Sequence, residues 1–274
     1  MKITFYGTRG SISVPDKNFS EFGGNTACLL LRFENGRIAI LDAGTGLRKL
    51  GNDLLAQSVE QYDNIFIGLS HTHWDHIQGF PFFKPAYDTR RHFTIAMYGR
   101  DRGAFTLASA FETQMQQDYF PVALDKMGAA VIFWQPETPS FTAASGVQVT
   151  ATEHNHPGRA YGYRITEGDT TLVYCSDVEY VDGIDPNVVL LARDADLLIH
   201  DAQYTPEELL QKKGWGHSSW EQAVEVAELA GVRRLALFHH DPEHDDAFLL
   251  RLEQECRQRF PDSFFAREGM EISI

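Results

Sequence analysis

The segment His71-Thr72-His73-Trp74-Asp75-His76 places three imidazoles and a carboxylate within six residues. Charged together, the rings would repel one another; buried and neutral, each would need a hydrogen-bond partner. Imidazole and carboxylate side by side are the donors that zinc and similar divalent ions take. The alternatives are a solvated polar loop or an affinity tag, and an internal run interrupted by Trp74 and Asp75 is not a tag. The run follows Asn64–Leu69, an apolar stretch ending at Ser70 that reads as a buried strand. The candidate ligands therefore sit on a loop at a strand's C-terminal end. Other histidines fall near strand ends too: His154, His156, His200, and the pair His239-His240, whose members a strand would point to opposite faces.

The elements that must position these groups are legible from periodicity. Lys2–Tyr6, Ala27–Phe33 and Arg37–Leu41 read as strands, the last two joined by the hairpin turn Asn35-Gly36. Further strands are expected at Phe93–Tyr98, Val147–Thr152, Tyr161–Ile165, Thr171–Cys175, Leu197–His200 and Leu235–Phe238. Thr205-Pro206-Glu207-Glu208 carries a helix cap, a proline at the first helical position and a capping-box glutamate. Ser218-Ser219-Trp220-Glu221 reads as a second capping box, opening a helix with Ala223, Val224, Ala227 and Ala230 on one face and a stop at Gly231. Asp246–Phe260 and Ala104–Tyr119 complete the expected helices. Early hairpins followed by alternating strands and helices predict an α/β fold, with sheets packed together and helices outside.

Composition limits the function. The chain has 274 residues and a net charge of −14, with 43% apolar and 23% charged residues. It shows no repeat or linker-like stretch, so one domain over 1–274 is expected. The acidic balance argues against nucleic acid as a general partner, because phosphate contacts need clustered Lys and Arg. Met1–Gly10 lacks an apolar signal core, and no apolar run approaches the roughly 18 residues of a membrane span. Cys28, Cys175 and Cys256 are odd in number and far apart, which fits a reducing cytoplasm and excludes a disulfide framework or a cysteine zinc site. Cys175 reads as a small core residue.

His71–His76 resembles the HxHxDH signature of the metallo-β-lactamase superfamily. The remaining family motifs follow in order: Ile40-Leu41-Asp42-Ala43-Gly44-Thr45-Gly46, His156 with Gly162-Tyr163 six residues on, Ser176-Asp177, and Leu237-Phe238-His239. The resemblance covers nearly the whole chain and implies a four-layer αββα sandwich. It implies that His71, His73 and His156 hold one divalent ion, that Asp75, His76 and His239 hold a second, and that Asp177 bridges them. Two ions, Zn2+ or Mn2+, are the expected cofactors. A carboxylate can span ions about 3.5–4 Å apart, and metal lowers the pKa of bound water towards about 7. With His239 as the ligand, His240 on the opposite strand face reads as structural or on the rim, and His154 is the neighbour to distinguish from His156. His200 is either a group that orients a ligand or an ordinary strand end; His92 and His244 read as surface residues.

The stretch from Leu198-Ile199-His200-Asp201-Ala202 through Gly216-His217-Ser218-Ser219 to His239 is similar to RNase Z and related phosphodiesterases. That similarity implies that His217 meets the phosphate and protonates the leaving oxygen, and that Asp75 also takes the proton of the attacking water. Asp201 stands where RNase Z has Glu, which puts the orientation of His217 in question. RNase Z carries its tRNA-binding arm between the third-histidine and aspartate motifs. Here the residues from His156 to Asp177 are filled by two strands and a turn. The expected activity is hydrolysis of a small cyclic nucleotide or cyclic phosphate by attack of metal-bound hydroxide. The rivals are a tRNA 3′ endonuclease of the RNase Z type, a lactonase or thioesterase, and a non-catalytic ligand carrier. Gly7-Thr8-Arg9-Gly10-Ser11 and Phe22-Gly23-Gly24-Asn25-Thr26 look like the cyclic-phosphate group, with Asn25 and Ser218 as candidate substrate contacts. Residues 79–127 read as an aromatic-rich helical insertion carrying Phe80, Phe82, Phe83, Tyr87, Phe105, Phe111, Tyr119 and Phe120 with Arg90, Arg91, Arg100 and Arg102. It is expected to pack on the core or to form a homodimer interface; stacking on a base is the alternative.

Overall fold

Apolar residues alternate between two faces along nearly every strand, and this alternation builds the architecture. The computed structural model describes residues 1–57, 62–99 and 106–274. One sheet contains β1 (Lys2–Gly7), β2 (Cys28–Arg32), β3 (Ile38–Leu41), β4 (Asn64–Gly68), β5 (His92–Ala96) and β6 (Ala130–Trp134). The other contains β7 (Ser140–Thr142), β8 (Gln148–His154), β9 (Ala160–Glu167), β10 (Thr170–Cys175), β11 (Leu197–Asp201), β12 (Leu235–Phe238) and β13 (Ser263–Phe265). The final strand, β14 (Glu271–Ser273), returns to the first sheet. The orders are β14-β1-β2-β3-β4-β5-β6 and β13-β12-β11-β10-β9-β8-β7. Strands β3 to β6 run parallel, as do β10 to β13.

Leu29 and Leu31 of β2, Ala39 and Leu41 of β3, Leu172 and Tyr174 of β10, Leu197 and Ile199 of β11, and Ala236 and Phe238 of β12 meet in the layer between the sheets. Their alternate neighbours face outward. Leu30, Ile40 and Ile67 pack under Leu47, Leu50 and Leu54 of α1 (Gly46–Leu55) and under Phe111 of a later helix, Leu107–Gln114. Between these two helices comes the short α2 (Trp74–Ile77), so Leu107–Gln114 is α3. On the opposite side Val173, Leu198, Leu235 and Leu237 pack under α4 (Pro186–Ala192), α6 (Trp220–Ala230) and α7 (Asp246–Arg259), with the short α5 (Pro206–Leu209) between α4 and α6. Three apolar layers separated by two sheets give the expected four-layer αββα sandwich in a single domain.

The structure departs from the sequence reading in several places. Helix α6 is capped by Ser219 with Gln222, one residue later than the Ser218–Glu221 box. The reason is that Ser218 is used elsewhere: its hydroxyl donates to the Val178 carbonyl and its N–H to Asp201. Helix α3 spans Leu107–Gln114, shorter than Ala104–Tyr119, and it starts at a capping box between Thr106 and Ser109. Arg100, Arg102 and Phe105 lie outside the described residues. The segment 79–127 is not purely helical, because it contains β5. Phe80, Phe83 and Phe111 are fully buried in the first sheet's outer layer, which fits packing on the core. Arg90 pairs with Asp88, and the buried Arg91 donates to the Tyr62 carbonyl at 2.7 Å.

Candidate metal centre

Parallel strands bring their C-terminal ends to one edge, and ligands in α/β sheets gather outside such ends. Here Asp42 follows β3, His71–His76 follow β4, Asp177 follows β10, Asp201 ends β11 and His239 follows β12. His156 arrives just past β8. Asp42, Asp177 and His239 adopt left-handed backbone with φ of 58°, 59° and 62°. Such conformations cost about 1–3 kcal/mol each and persist where a site requires them. They turn the side chains out of the strand direction and into the shared space.

All seven expected ligands converge. Donor atoms of His71, His73 and His156 lie within 4.8 Å of one another, and so do those of Asp75, His76, Asp177 and His239. His156 Nε2 is 3.0 Å from His73 Nδ1. His76 Nε2 is 3.3 Å from His239 Nε2 and 3.1 Å from Asp177 Oδ2. The other oxygen of Asp177 is 3.3 Å from His239 Nε2 and 4.0 Å from His71 Nε2. Asp177 thus faces both groups.

The surrounding bonds fix which ring nitrogen points inward. His76 Nδ1 donates to Asp42 Oδ2 at 2.8 Å, His156 Nδ1 to the Gly216 carbonyl at 2.8 Å, and His239 Nδ1 to Gln203 Oε1 at 2.9 Å. Each ring therefore presents Nε2 to the site, the arrangement by which outer partners orient metal-binding histidines. His71 Nε2 is buried and has no hydrogen-bond partner, a cost that a bound cation would relieve. This orphaned atom and the hard-and-borderline N/O donor set fit divalent metal.

Charge follows the same logic. Burial and the neighbouring rings push His71, His73 and His156 down, towards the neutral form that binds metal. For Asp75 and Asp177 burial opposes ionisation, but His76 and His239 outweigh it and hold both well below the usual carboxylate range.

Strand alternation explains the other histidines. Val149 and Ala151 of β8 face the inter-sheet layer, so His154 faces the helices, packed against Gly162. Burial pushes its pKa down to about 3. His200 shares the parity of Leu198, bonds the Tyr180 hydroxyl at 2.8 Å and donates through Nδ1 to the Asp201 carbonyl at 2.7 Å. His240 donates to the Ala266 carbonyl at 2.9 Å and stacks on Phe265, a structural role. His92 is exposed as expected. His244 is not a surface residue: it is buried, bonded to Glu208 at 2.8 Å and stacked on Phe248.

His217 Nδ1 lies 2.7 Å from Asp201 Oδ2, so the shorter Asp still reaches it. The ring stacks on His239 with centroids 4.9 Å apart. Burial disfavours its charge, yet Asp201 pushes its pKa up to about 9. Asp201 also accepts from the backbone N–H groups of Asp177, Gln203 and Ser218.

The two candidate substrate contacts are committed to protein partners. Asn25 bonds Glu268 through its backbone N–H, and through its side-chain amide at 3.0 Å. Ser218 is fully buried. The Gly10 backbone, by contrast, lies against the His239 ring where a Cβ would collide. The neighbouring Ser11 N–H donates to Asp75 Oδ2 at 2.8 Å.

Sequence reasoning did not single out Gln203 or Glu179, and Asp42 and Ser11 entered only as parts of motifs. Gln203 carries no local signal. Replacing Gln203 with Ala removes the acceptor that orients His239 and is expected to weaken metal affinity about 10–100-fold, read by competition with a chromogenic chelator. An unchanged affinity would show that His239 needs no such partner.

A profile described as a beta-lactamase superfamily domain matches residues 37–240. A ribonuclease Z from Nostoc sp. (strain PCC 7120) is 26% identical over 326 residues, covering 100% of this chain and 95% of that protein. The metallo-beta-lactamase fold protein YhfI from Bacillus subtilis superposes with a TM-score of 0.74 at 23% identity, covering 99% of this chain and 98% of its own. Human tRNase Z, short form, gives a TM-score of 0.69 at 22% identity, covering 100% and 99%. At these identities the two structural likenesses establish the fold.

Proposed function

The chain belongs to the beta-lactamase superfamily and has the metallo-β-lactamase fold, and on that premise we propose that it is a metal-dependent phosphodiesterase acting on a small cyclic nucleotide or cyclic phosphate. The observation that carries this reading is the Asp201–His217 pair at 2.7 Å beside a seven-donor His/Asp centre. A protonated ring facing the cluster suits an anionic phosphodiester and a leaving alkoxide.

His71, His73 and His156 would hold one divalent ion and Asp75, His76 and His239 a second, with Asp177 between them; Zn2+ or Mn2+ suits these donors. Such ions supply Lewis acidity and an activated water. The chain's residues do the rest. Asp201 fixes His217 through Nδ1, leaving Nε2 to donate to a nonbridging oxygen and then to the departing oxygen. Asp75 was expected to carry off the water's proton as well. The Ser11 N–H, donating to its Oδ2 at 2.8 Å, would hold it in place for that role.

A second reading, a tRNA 3′ endonuclease, is favoured by the full-length match to ribonuclease Z. Against it stand the charge of −14 and the missing arm. The alignment runs over 326 positions for a chain of 274 residues, so the relative carries segments absent here. Between His156 and Asp177 there is only the tight β9–β10 hairpin. A panel of 2′,3′- and 3′,5′-cyclic nucleotides beside a precursor tRNA with a 3′ trailer separates the two. Turnover of a cyclic nucleotide supports the first reading; cleavage of the trailer alone replaces it with the second.

The pH profile has a defined sign. A general acid works while protonated, so activity is present below the His217 pKa and lost as pH rises through it. Replacing Asp201 with Asn removes the strongest of the groups that raise this pKa, leaving Asp177 and Asp75 alone to oppose burial. The alkaline limb of kcat is expected to shift to lower pH. A limb that stays in place would assign it to another group.

A further inference from the structure

We propose that Trp74 and Trp215 form an aromatic clamp at the mouth of the metal centre that grips a planar ring carried by the substrate, a nucleobase. The inference rests on the phosphodiester reading above and narrows it from cyclic phosphates in general to nucleotides.

The chain has four tryptophans. Trp220 is 8% exposed and Trp134 is half-buried in an aromatic cluster with Phe66 and Phe141. Trp74 and Trp215 are 77% and 58% exposed. Large aromatics left in water are informative when they gather at one place, and both of these border the site. Trp74 lies between His73 and Asp75 at the start of α2. Trp215 immediately precedes Gly216, whose carbonyl holds His156 Nδ1 at 2.8 Å. His156 in turn reaches His73 Nδ1 at 3.0 Å. Two hydrogen-bond lengths and one imidazole therefore connect the backbone beside one indole to the residue beside the other.

The loop carrying Trp215 is built to hold it. The Glu179 carboxylate accepts from the N–H groups of Gly214 at 2.6 Å and Gly216 at 3.0 Å. Both glycines have positive φ, 84° and 93°, and a Cβ on Gly216 would run into the His156 ring. The Trp215 N–H donates to the Lys212 carbonyl at 3.1 Å. The Lys212 ammonium sits 4.1 Å from the indole centroid, which fixes one face by a cation–π contact and leaves the other face for a ring. Lys212 and Lys213 also place positive charge beside the mouth of an acidic chain, which suits a ligand joining a ring to a phosphate.

Base–aromatic stacking contributes about 5- to 150-fold in affinity per base. The test is a titration of the metal-loaded protein with adenosine 5′-monophosphate and with ribose 5-phosphate, by calorimetry, with metal content recorded for every variant. The monophosphate is expected to bind at least about 10-fold tighter. Trp215→Ala and Trp74→Ala each reduce that preference, the double variant abolishes it, and Trp215→Phe retains most of it. Both side chains are exposed, so the variants keep the fold. Equal binding of the two probes by the unmodified protein, or a preference surviving in the double variant, overturns the clamp and leaves the phosphodiester reading standing. Failure of both probes to bind also overturns the clamp, while the phosphodiester reading stands or falls on the cyclic-nucleotide panel.

Discussion

Replacing His217 with Ala lowers kcat on a phosphodiester about 10²–10⁴-fold, the range spanned by positioned acids and bases, while metal content stays intact. Metal should stay because the His71 set and the Asp75 set close without His217, although its ring nitrogen also lies within 4.8 Å of donors of Asp177, Asp201 and His239. Its ring is held by Asp201 and stacked on His239, so its loss removes a proton donor more than a scaffold. The deficit should depend on the leaving group. A nitrophenolate ester needs little protonation and should lose less than a nucleotide whose departing oxygen is an aliphatic alkoxide. Equal losses on both would leave His217 with charge stabilisation alone.

Replacing Asp177 with Asn has the second large effect, and a different signature. Asp177 is fully buried and its oxygens face His71, His76 and His239 from between the two ligand groups. Asparagine tolerates the left-handed backbone at this position, where φ is 59°. The substitution therefore removes charge without adding strain. Breaking a buried charge set costs about 3–5 kcal/mol, which corresponds to about 10²–10⁴-fold in affinity or rate. The protein should lose bound metal, and activity should fall in proportion and recover partly at high metal concentration. Full metal content with unchanged turnover would remove Asp177 from the centre. His217→Ala and Asp177→Asn thus part on metal content, which only the second reduces.

The sequence carried the architecture because the strands obey a period of two. Leu29 and Leu31 alternate with Cys28 and Leu30, and Leu172 and Tyr174 with Val173 and Cys175; each set faces a different layer. The same alternation separates His239 from His240, whereas His156 and His154 share parity and are told apart by the six-residue step from His156 to Gly162-Tyr163. The strands that escaped, β6, β7, β13 and β14, lie at sheet edges; β6, β7 and β14 are only partly buried, and β13, though buried, is three residues long, too short to show a pattern. Helices α1 and α4 were overlooked although signals existed: Leu47, Leu50 and Leu54 at helical spacing, and Asp185-Pro186 as cap and first residue.

The ligands were legible because their spacing is local or tied to strand ends. The residues that aim them were not. Asp42 meets His76 across 34 positions and Gln203 meets His239 across 36, and no local pattern links such pairs. Glu179, which holds the 214–216 loop, looks like any acidic residue in an acidic chain until its two N–H partners are seen. The bond from Asn25 to Glu268, 243 positions away, has no local signal either.

One measurement bears on the chemistry most directly: metal content and hydrolysis determined on the same sample, for protein stripped by chelator and for protein reloaded with zinc or manganese. The substrates are a cyclic nucleotide, an activated phosphodiester, a lactone and a thioester. The expected result is close to two ions per chain on reloading, with phosphodiester hydrolysis that is absent from the stripped protein. A fully loaded protein that leaves both phosphodiesters intact and opens the lactone or the thioester would contradict it.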